Sequence, residues 1–406
     1  MTQPPQNQAH APTFLIAPDS FKGSLSATEF CAIAQRVIKD RLPNATVISR
    51  PMSDGGEGFV DAFLAANVTQ PFETYSPHSL WVANPLGRKV KARFAWAPHT
   101  QTAIIEMAQA SGLTKLRPPE LNPMQTHTYG TGQLINAALN LGAKKIVLGL
   151  GGSATNDGGA AALQALGIEL FDIKGQPIGL GAQALRQLHR IGDIPAHLTH
   201  IDWLIACDVT NPLLGQHGAT RVFAPQKGAQ PQQMDALEHA LSHFADCIQT
   251  KTGVATHDLA GAGAAGGMAA GFMGLLNARM QPGFEVLNQT LNLNALFAQH
   301  RIDYLITGEG KIDTQTQYGK LPLRLAQLAK AHSPAPITIG VCGAIDLSAH
   351  SSTHAPTNPL SAFDALFSIT PQPIDLISAL QNAPINLQNT LHAIVNLLAL
   401  STQKPS

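Results

Sequence analysis

The sequence is poor in charged residues, aromatic residues and cysteine. Charged side chains make up 13% of its 406 residues and aromatic ones 5%, whereas an average soluble domain is about 25% charged. Lysine and arginine together number 26, as do aspartate and glutamate, so the formal net charge is zero. Such a chain has no overall field that attracts nucleic acid or an anionic membrane. We therefore expect neither as a partner, and we expect clusters of charge to mark function.

Cysteines and long apolar runs are also scarce. The sequence has four scattered cysteines, Cys31, Cys207, Cys247 and Cys342. They form no C-x-x-C pair, which indicates free thiols in a reducing compartment. The uncharged stretch 259–276 is mostly glycine and alanine, and too little Leu, Ile or Val is present to drive membrane insertion. Residues 1–11 do not resemble a secretory signal. We expect a cytoplasmic protein with short disordered tails at 1–11 and 401–406.

Strand and helix patterns alternate near both ends of the chain. The apolar runs 14–18 and 45–52 are each followed by a polar, glycine-containing loop and then by a helical pattern, over 27–42 and 59–66. Repeated strand–loop–helix units are typical of a parallel sheet covered by helices. The alternation returns from Tyr304 onward. These patterns predict one α/β domain that is built from both ends of the chain.

The middle of the chain has a different texture. Apolar and polar residues alternate over 90–96, and the sequence NPLG at 84–87 is typical of a turn. We therefore predict antiparallel hairpins between 72 and 107, followed by further strands and helices. This region is interpreted as a second α/β domain inserted into the first.

Four polar loops follow apolar runs and combine carboxylates with glycine, serine, threonine or lysine. They are Asp19–Ser24, Ser53–Gly58, Gly151–Gly159 and Gly308–Asp313. In open α/β sheets, ligands bind beyond the carboxyl ends of the strands, where helix N-termini favour phosphate. Carboxylates can hold Mg²⁺ or accept a hydroxyl proton. The four loops together have the parts that phosphoryl transfer needs, although any one of them alone is also typical of a capped turn.

Two other functions stay open from the residues alone. Gly261, Gly263 and Gly266 match the dinucleotide-binding pattern G-x-G-x-x-G, but no clear strand precedes them. An NAD(P)-dependent oxidoreductase that uses this loop is one alternative. A catalytically silent protein that binds a small ligand is the other. ATP with Mg²⁺ should stabilise a kinase against heat, and NADH should not.

Eight segments, in order along the chain, resemble glycerate kinases of the type 1 class. They are IAPDSFKGS (16–24), SDGGEG (53–58), YGTGQLI (129–135), GLGGSATNDGG (149–159), ACDVTNPLLG (206–215), FAPQKGA (223–229), GAGAAGG (261–267) and ITGEGKIDTQT (306–316). The resemblance implies ATP-dependent phosphorylation of glycerate to phosphoglycerate, usually on the 2-hydroxyl. We add Mg²⁺ as the cofactor because carboxylates recur in these loops.

The resemblance also implies a fold. A flavodoxin-like parallel-sheet domain is expected over 12–72 and 288–382, with a second, mixed-sheet α/β domain inserted at 73–287. Glycerate would then bind in a cleft between the two domains, where closure would exclude water. A homo-oligomer is possible.

Roles for single residues follow from their chemistry, as hypotheses. Lys22 is the candidate to neutralise the transferring phosphate oxygens. Asp157 is the candidate acceptor of the glycerate hydroxyl proton, with Asp19 and Asp313 as rivals.

The remaining candidates bind metal, substrate or nucleotide. Asp54 and Glu309 are candidate Mg²⁺ ligands, directly or through water. Lys227 and Arg50 are candidates to bind the carboxylate of glycerate, although Lys227 is equally typical of a surface residue. The nucleotide-binding candidates are Ser20, Gly151, Gly152, Ser153, Thr155, Asn156, Gly308 and Gly310.

Overall fold

The computed structural model describes residues 11–66, 74–312, 320–346 and 359–402. Contacts divide the chain into two compact units: the first unit is Met1–Ser53 with Asn292–Ser406, and the second unit is Asp54–Leu291. This division begins the second unit at Asp54, whereas the sequence interpretation begins its inserted domain at residue 73. Asp313 and most of both predicted tails lie outside the described residues.

Strands and helices alternate through most of the described chain. The strands are β1 (Thr13–Ile16), β2 (Thr46–Ser49), β3 (Ser76–Ala83), β4 (Lys89–Ala97), β5 (Thr102–Glu106), β6 (Lys145–Gly149), β7 (Leu170–Phe171), β8 (Arg190–Ile191), β9 (Asp202–Ala206), β10 (Arg279–Gln281), β11 (Tyr304–Ile312), β12 (Ile337–Ile345) and β13 (Ala365–Ser368). The α-helices are α1 (Ala27–Arg41), α2 (Phe59–Ala66), α3 (Ala108–Ser111), α4 (Tyr129–Asn140), α5 (Ala160–Ala165), α6 (Ala182–Leu185), α7 (Ala219–Phe223), α8 (Met234–Thr252), α9 (Ala264–Leu276), α10 (Gly283–Leu291), α11 (Leu293–Gln299), α12 (Leu321–Lys330), α13 (Leu376–Gln381) and α14 (Ala383–Thr402).

The first unit contains a parallel sheet. Its described strands pair in the order β13-β12-β11-β1-β2, and each pair is parallel. This is the flavodoxin-like order 2-1-3-4-5, with the second unit inserted in the sequence between the second and third strands. The flavodoxin-like prediction is confirmed. Strand order reverses direction between β1 and β11, the point at which such sheets bind ligands.

The local sequence determines where helix α1 of this unit begins and which of its faces is buried. Ser26 accepts a hydrogen bond from the N–H of Glu29, and the Glu29 carboxylate accepts one from the N–H of Ser26, so a capping box starts the helix. Phe30, Ala34 and Ile38 recur along one face at helical spacing and are fully buried in the core of the unit.

The second unit contains a mixed sheet. Its strands pair in the order β10-β9-β6-β5-β4-β3. The pairs β3–β4 and β4–β5 are antiparallel, and the other pairs are parallel. The predicted hairpins are therefore confirmed. Asn84 makes the first turn, because its side-chain oxygen accepts from the N–H groups of Leu86 and Arg88.

Some predicted elements differ from the observed ones. Gly308–Ile312 was predicted as a loop, which is wrong, because β11 continues to Ile312 with its partner β12 alongside. Helices α10 and α11 are separated by the single residue Asn292, which has a left-handed backbone. Helix α14 extends to Thr402, so its last two residues lie within the range predicted as a tail.

All four cysteines are free thiols, as their scattered positions in the sequence predicted, and Cys31 and Cys342 are buried. Among the described residues, no helix has both the length and the apolar character that crossing a membrane requires.

Candidate functional site

In the first unit, two predicted loops meet where β1 and β11 end. The N–H of Asp19 donates to the carbonyl oxygen of Gly308 at 2.8 Å, which fixes the residues after β1 beside β11. A Cβ on Gly310 would lie 3.7 Å from the backbone nitrogen of Lys22. The structure therefore brings together, at the switch point of the sheet, Asp19, Ser20, Lys22, Gly308, Glu309 and Gly310.

The charged groups at this point differ in exposure. Lys22 is exposed, whereas Asp19 is buried with its carboxylate accepting from the N–H of Ser20 at 2.6 Å. Glu309 is also buried, and it accepts from Lys320 Nζ at 3.2 Å. Because an ammonium group already pairs with Glu309, this carboxylate is less suited to a metal ion than a free one.

Arg50 follows β2, the strand next to β1. Its N–H donates to the carbonyl oxygen of Ile16, and its guanidinium donates to that of Ser49 at 2.9 Å. Burial lowers the pKa of this guanidinium from its usual value. Arg50 thus lies beside the strand end that precedes Asp19, and its role as a substrate ligand stays a prediction.

In the second unit, the loops 53–58 and 151–159 pack backbone to backbone. The N–H of Gly151 donates to the carbonyl oxygen of Gly55 at 3.0 Å. A Cβ on Gly151 would lie only 2.4 Å from the Cα of Gly56, so a residue with a side chain would force these loops apart. Glycine is required here by close approach.

Asp157 lies at the inner end of this loop and is fully buried. One carboxylate oxygen accepts from both the N–H and the hydroxyl of Thr128, at 2.9 Å each, and the other accepts from the N–H of Gly159 at 3.2 Å. Burial raises the pKa of Asp157, while the Thr128 bonds and the nearby His127 act in the opposite direction. Burial likewise lowers the pKa of His127, against the attraction of Asp157. This geometry favours a carboxylate that organises the loop over one that reaches a substrate proton.

Lys227 contacts the same loop from inside the protein. Its side chain is 1% exposed, and its Nζ donates to Ser153 Oγ at 2.8 Å and to the carbonyl oxygen of Thr155 at 2.7 Å. Burial lowers the pKa of Lys227 to about 7, and the charge of Asp157 opposes that shift. Lys227 is therefore not a surface residue.

Several N–H groups of the loop have no acceptor in the part of the chain that the structure describes. They are those of Gly152, Ser153, Thr155, Asn156 and Asp157, whereas the N–H of Gly151 donates to Gly55. The following helix, α5, is only six residues long. An anion bound here would therefore depend on individual N–H groups more than on a long helix dipole.

The stretch that matches the dinucleotide pattern supports this loop. No residue between Cys207 and Ala278 lies in a strand, so the pattern lacks the strand that it requires. Ala265, Gly266 and Gly267 have left-handed backbone. A Cβ on Gly266 would lie 2.0 Å from the carbonyl oxygen of Thr155. The glycines thus let the segment pack against the 151–159 loop, which removes the support for an oxidoreductase.

Glu106 is a buried acid that the sequence reasoning missed. It ends β5, is 2% exposed, and accepts from the N–H of Val60 at 3.3 Å. Burial raises its pKa to about 7, and the charges of Asp61 and Glu57 add to the shift. The available signal was a glutamate at the end of an apolar strand, but no glycine-rich loop follows it.

Asp54 has a second carboxylate in its neighbourhood. A Cβ on Gly283 would lie 2.0 Å from the carbonyl oxygen of Asp54, so Asp54 adjoins Gly283. Burial and the charges of Asp54 and Asp208 together raise the pKa of the Cys207 thiol to about 12. Asp208 also accepts from the N–H of Gly283 at 3.1 Å. Within the described ranges, no group of three His, Cys, Asp or Glu residues is placed to hold a metal ion. Two carboxylates still fit Mg²⁺, which usually takes one or two plus substrate phosphates and water.

Known proteins resemble this chain over most of its length. The sequence profile of the Glycerate kinase family matches residues 14–399. The glycerate 2-kinase of Escherichia coli K12 is 43% identical over 334 residues, which cover 82% of this chain and 85% of the relative. The glycerate kinase of Bacillus subtilis 168 is 40% identical over 389 residues, or 95% and 98% of the two chains. A crystal structure from Salmonella typhimurium LT2, assigned to glycerate kinase 2, has a TM-score of 0.77 at 38% identity and covers 97% of this chain and 100% of its own.

Proposed function

Because the chain belongs to the glycerate kinase family, we propose that it transfers a phosphoryl group from ATP, with Mg²⁺, to glycerate. One observation carries this proposal within the structure: Lys227 hydrogen-bonds the 151–159 loop at two points, and the N–H groups of Gly152 and Ser153 have no acceptor among the described residues. Fixed N–H donors in a glycine loop suit phosphate oxygens. We further propose 2-phosphoglycerate as the product, since the relative from Escherichia coli is a glycerate 2-kinase.

We propose separate roles for the charged residues. Lys22, exposed at the switch point of its sheet, neutralises charge on the phosphoryl oxygens. Asp19 is proposed as the acceptor of the hydroxyl proton, because it lies beside Lys22 where β1 and β11 end, at the switch point of the sheet. Asp157 then has a positioning role.

Asp54 and Asp208 would hold Mg²⁺. The cation supplies neutralisation of phosphate oxygens when it is bound. Glu309 is the weaker candidate, because it pairs with Lys320.

The test is direct. The protein is incubated with D-glycerate, ATP and Mg²⁺, and phosphorus NMR shows which carbon of the product carries the phosphate. Formation of 2-phosphoglycerate supports the whole proposal. Exclusive 3-phosphoglycerate refutes the choice of hydroxyl, and absence of any phosphoglycerate refutes the activity. Thermal stabilisation by NADH, without any by ATP and Mg²⁺, would restore the oxidoreductase alternative.

A further inference from the structure

Lys227 is held in a fixed position by its own short turn. It ends the 3₁₀ turn Pro225–Lys227, and the next residue, Gly228, has a left-handed backbone with φ near +91°. A Cβ on Gly228 would lie 2.4 Å from the carbonyl oxygen of Leu121, so the turn is locked against its surroundings. The direction of the lysine side chain is therefore set by packing.

The ammonium group of Lys227 bridges two points of the 151–159 loop. Its acceptors, Ser153 Oγ and the carbonyl oxygen of Thr155, flank Ala154. The residue between them is held as well, because the N–H of Ala154 donates to Ser111 O at 2.9 Å and its carbonyl accepts from Thr126 Oγ1 at 2.7 Å. Asp157 supplies the compensating negative charge. Lys227 thus fixes the loop from its inner side.

This contact also directs the hydroxyl of Ser153. A serine hydroxyl has one proton to donate and two lone pairs that accept. Since Ser153 Oγ accepts from Lys227, its proton is free to point elsewhere. The N–H groups of Ser153 itself and of Gly152 belong to the same stretch. Together these three donors form a set that suits a phosphate group.

We propose that Lys227 is a positioning residue that holds Ser153 and its loop so that the Ser153 hydroxyl donates to a bound phosphate group. The inference rests on the proposed function, because it takes 151–159 as the phosphate-binding loop. It differs from the substrate-binding role that the sequence analysis considered for Lys227. Lys227 acts through Ser153 and Thr155, and it does not touch the carboxylate of glycerate.

A double-mutant cycle tests this coupling. Lys227→Met and Ser153→Ala are each expected to lower kcat/KM for ATP roughly 10-fold to 100-fold, the usual range for a charge-assisted hydrogen bond. If Lys227 acts through Ser153, the double variant should lie within about threefold of the weaker single variant. Multiplied effects would overturn the proposal, because independent contacts with substrate combine in that way.

Amide hydrogen exchange tests the same inference without using activity. In Lys227→Met, the N–H of Ala154 should exchange at least about 10-fold faster, while that of Ile248, in α8, serves as the reference. Unchanged exchange at Ala154 would overturn the positioning role. If Lys227→Met does not fold, exchange at the N–H of Ala154 is measured in Ser153→Ala, which also removes the contact between Lys227 and Ser153. Faster exchange supports the positioning role, and unchanged exchange overturns it. Should the wild type form no phosphoglycerate, the proposed function fails, and exchange still decides whether Lys227 holds the loop.

Discussion

The candidate residues of the first unit and those of the second are held in different ways. At the switch point of the parallel sheet, Lys22 is exposed, whereas Asp19 and Glu309 beside it are buried. In the second unit, Asp157 and Lys227 are buried and hydrogen-bonded to the 151–159 loop. An exposed group can be removed with little loss of stability, whereas a buried polar group links stability to function. The first region therefore offers one exposed cation, Lys22, whose removal should affect activity alone, whereas removal of Asp157 or Lys227 in the second should also affect stability.

The largest expected effect separates activity from stability in the first unit. Lys22→Met should lower kcat by roughly 100-fold or more, because it removes a cation proposed to stabilise the transition state. The free energy of unfolding should change by less than about 0.5 kcal/mol, because Lys22 is exposed. Steady-state kinetics and urea unfolding measure the two effects. Lys39→Met, at an exposed position of α1, is the matched control. Equal kcat in both variants would remove Lys22 from the mechanism.

In the second unit, Asp157→Asn should lower both the turnover and the free energy of unfolding. Asp157→Asn replaces an accepting oxygen with an amide NH₂ that must face a donor at Thr128 or Gly159. Because one buried hydrogen bond is lost and two donors then face each other, the free energy of unfolding should fall by about 1–3 kcal/mol. Turnover should fall more than the affinity for ATP does. Asp235→Asn, at an exposed position of α8, is the control and should change neither the free energy of unfolding nor the turnover. A variant with wild-type stability and activity would contradict the comparison between the two regions.

A third effect depends on pH and is expected in stability alone. The pKa of Glu106 is about 7 in the folded protein and near 4.5 in the unfolded chain, so between these values the folded state binds more protons. Stability contributed by protonated Glu106 should therefore decrease as pH rises from about 4.5 to 7, by at most about 1.4 kcal/mol per pH unit. The difference in unfolding free energy between the wild type and Glu106→Gln should show this slope. A flat difference would show that Glu106 does not titrate in that window.

The smallest effect is expected at a surface ion pair of the second unit. Arg279 Nη2 lies 2.6 Å from Asp202 Oδ1, and both side chains are about half exposed. Arg279→Met should lower the unfolding free energy by less than about 1 kcal/mol and leave kcat unchanged. A loss above 2 kcal/mol, measured by urea unfolding, would mean that the exposure of a charged side chain does not predict how much its removal lowers stability.

The sequence alone determined much of this protein. Apolar periodicity located most strands and helices, since burial of one face depends on side-chain spacing. Helix α2 has the predicted bounds, Phe59–Ala66. The eight ordered motifs identified the family, because glycine and carboxylate spacings in loops are tied to ligand chemistry.

Only the tertiary structure decided how individual residues are used. Composition could not show that Lys227 is buried against Ser153, because its partners lie more than 70 positions away in the sequence. Nor could it show that Gly266 packs on Thr155 and not on a dinucleotide, or that Glu106 is a desolvated acid. Burial, close backbone approach and shifts of pKa arise from neighbours that the fold brings together, and local spacing does not encode them.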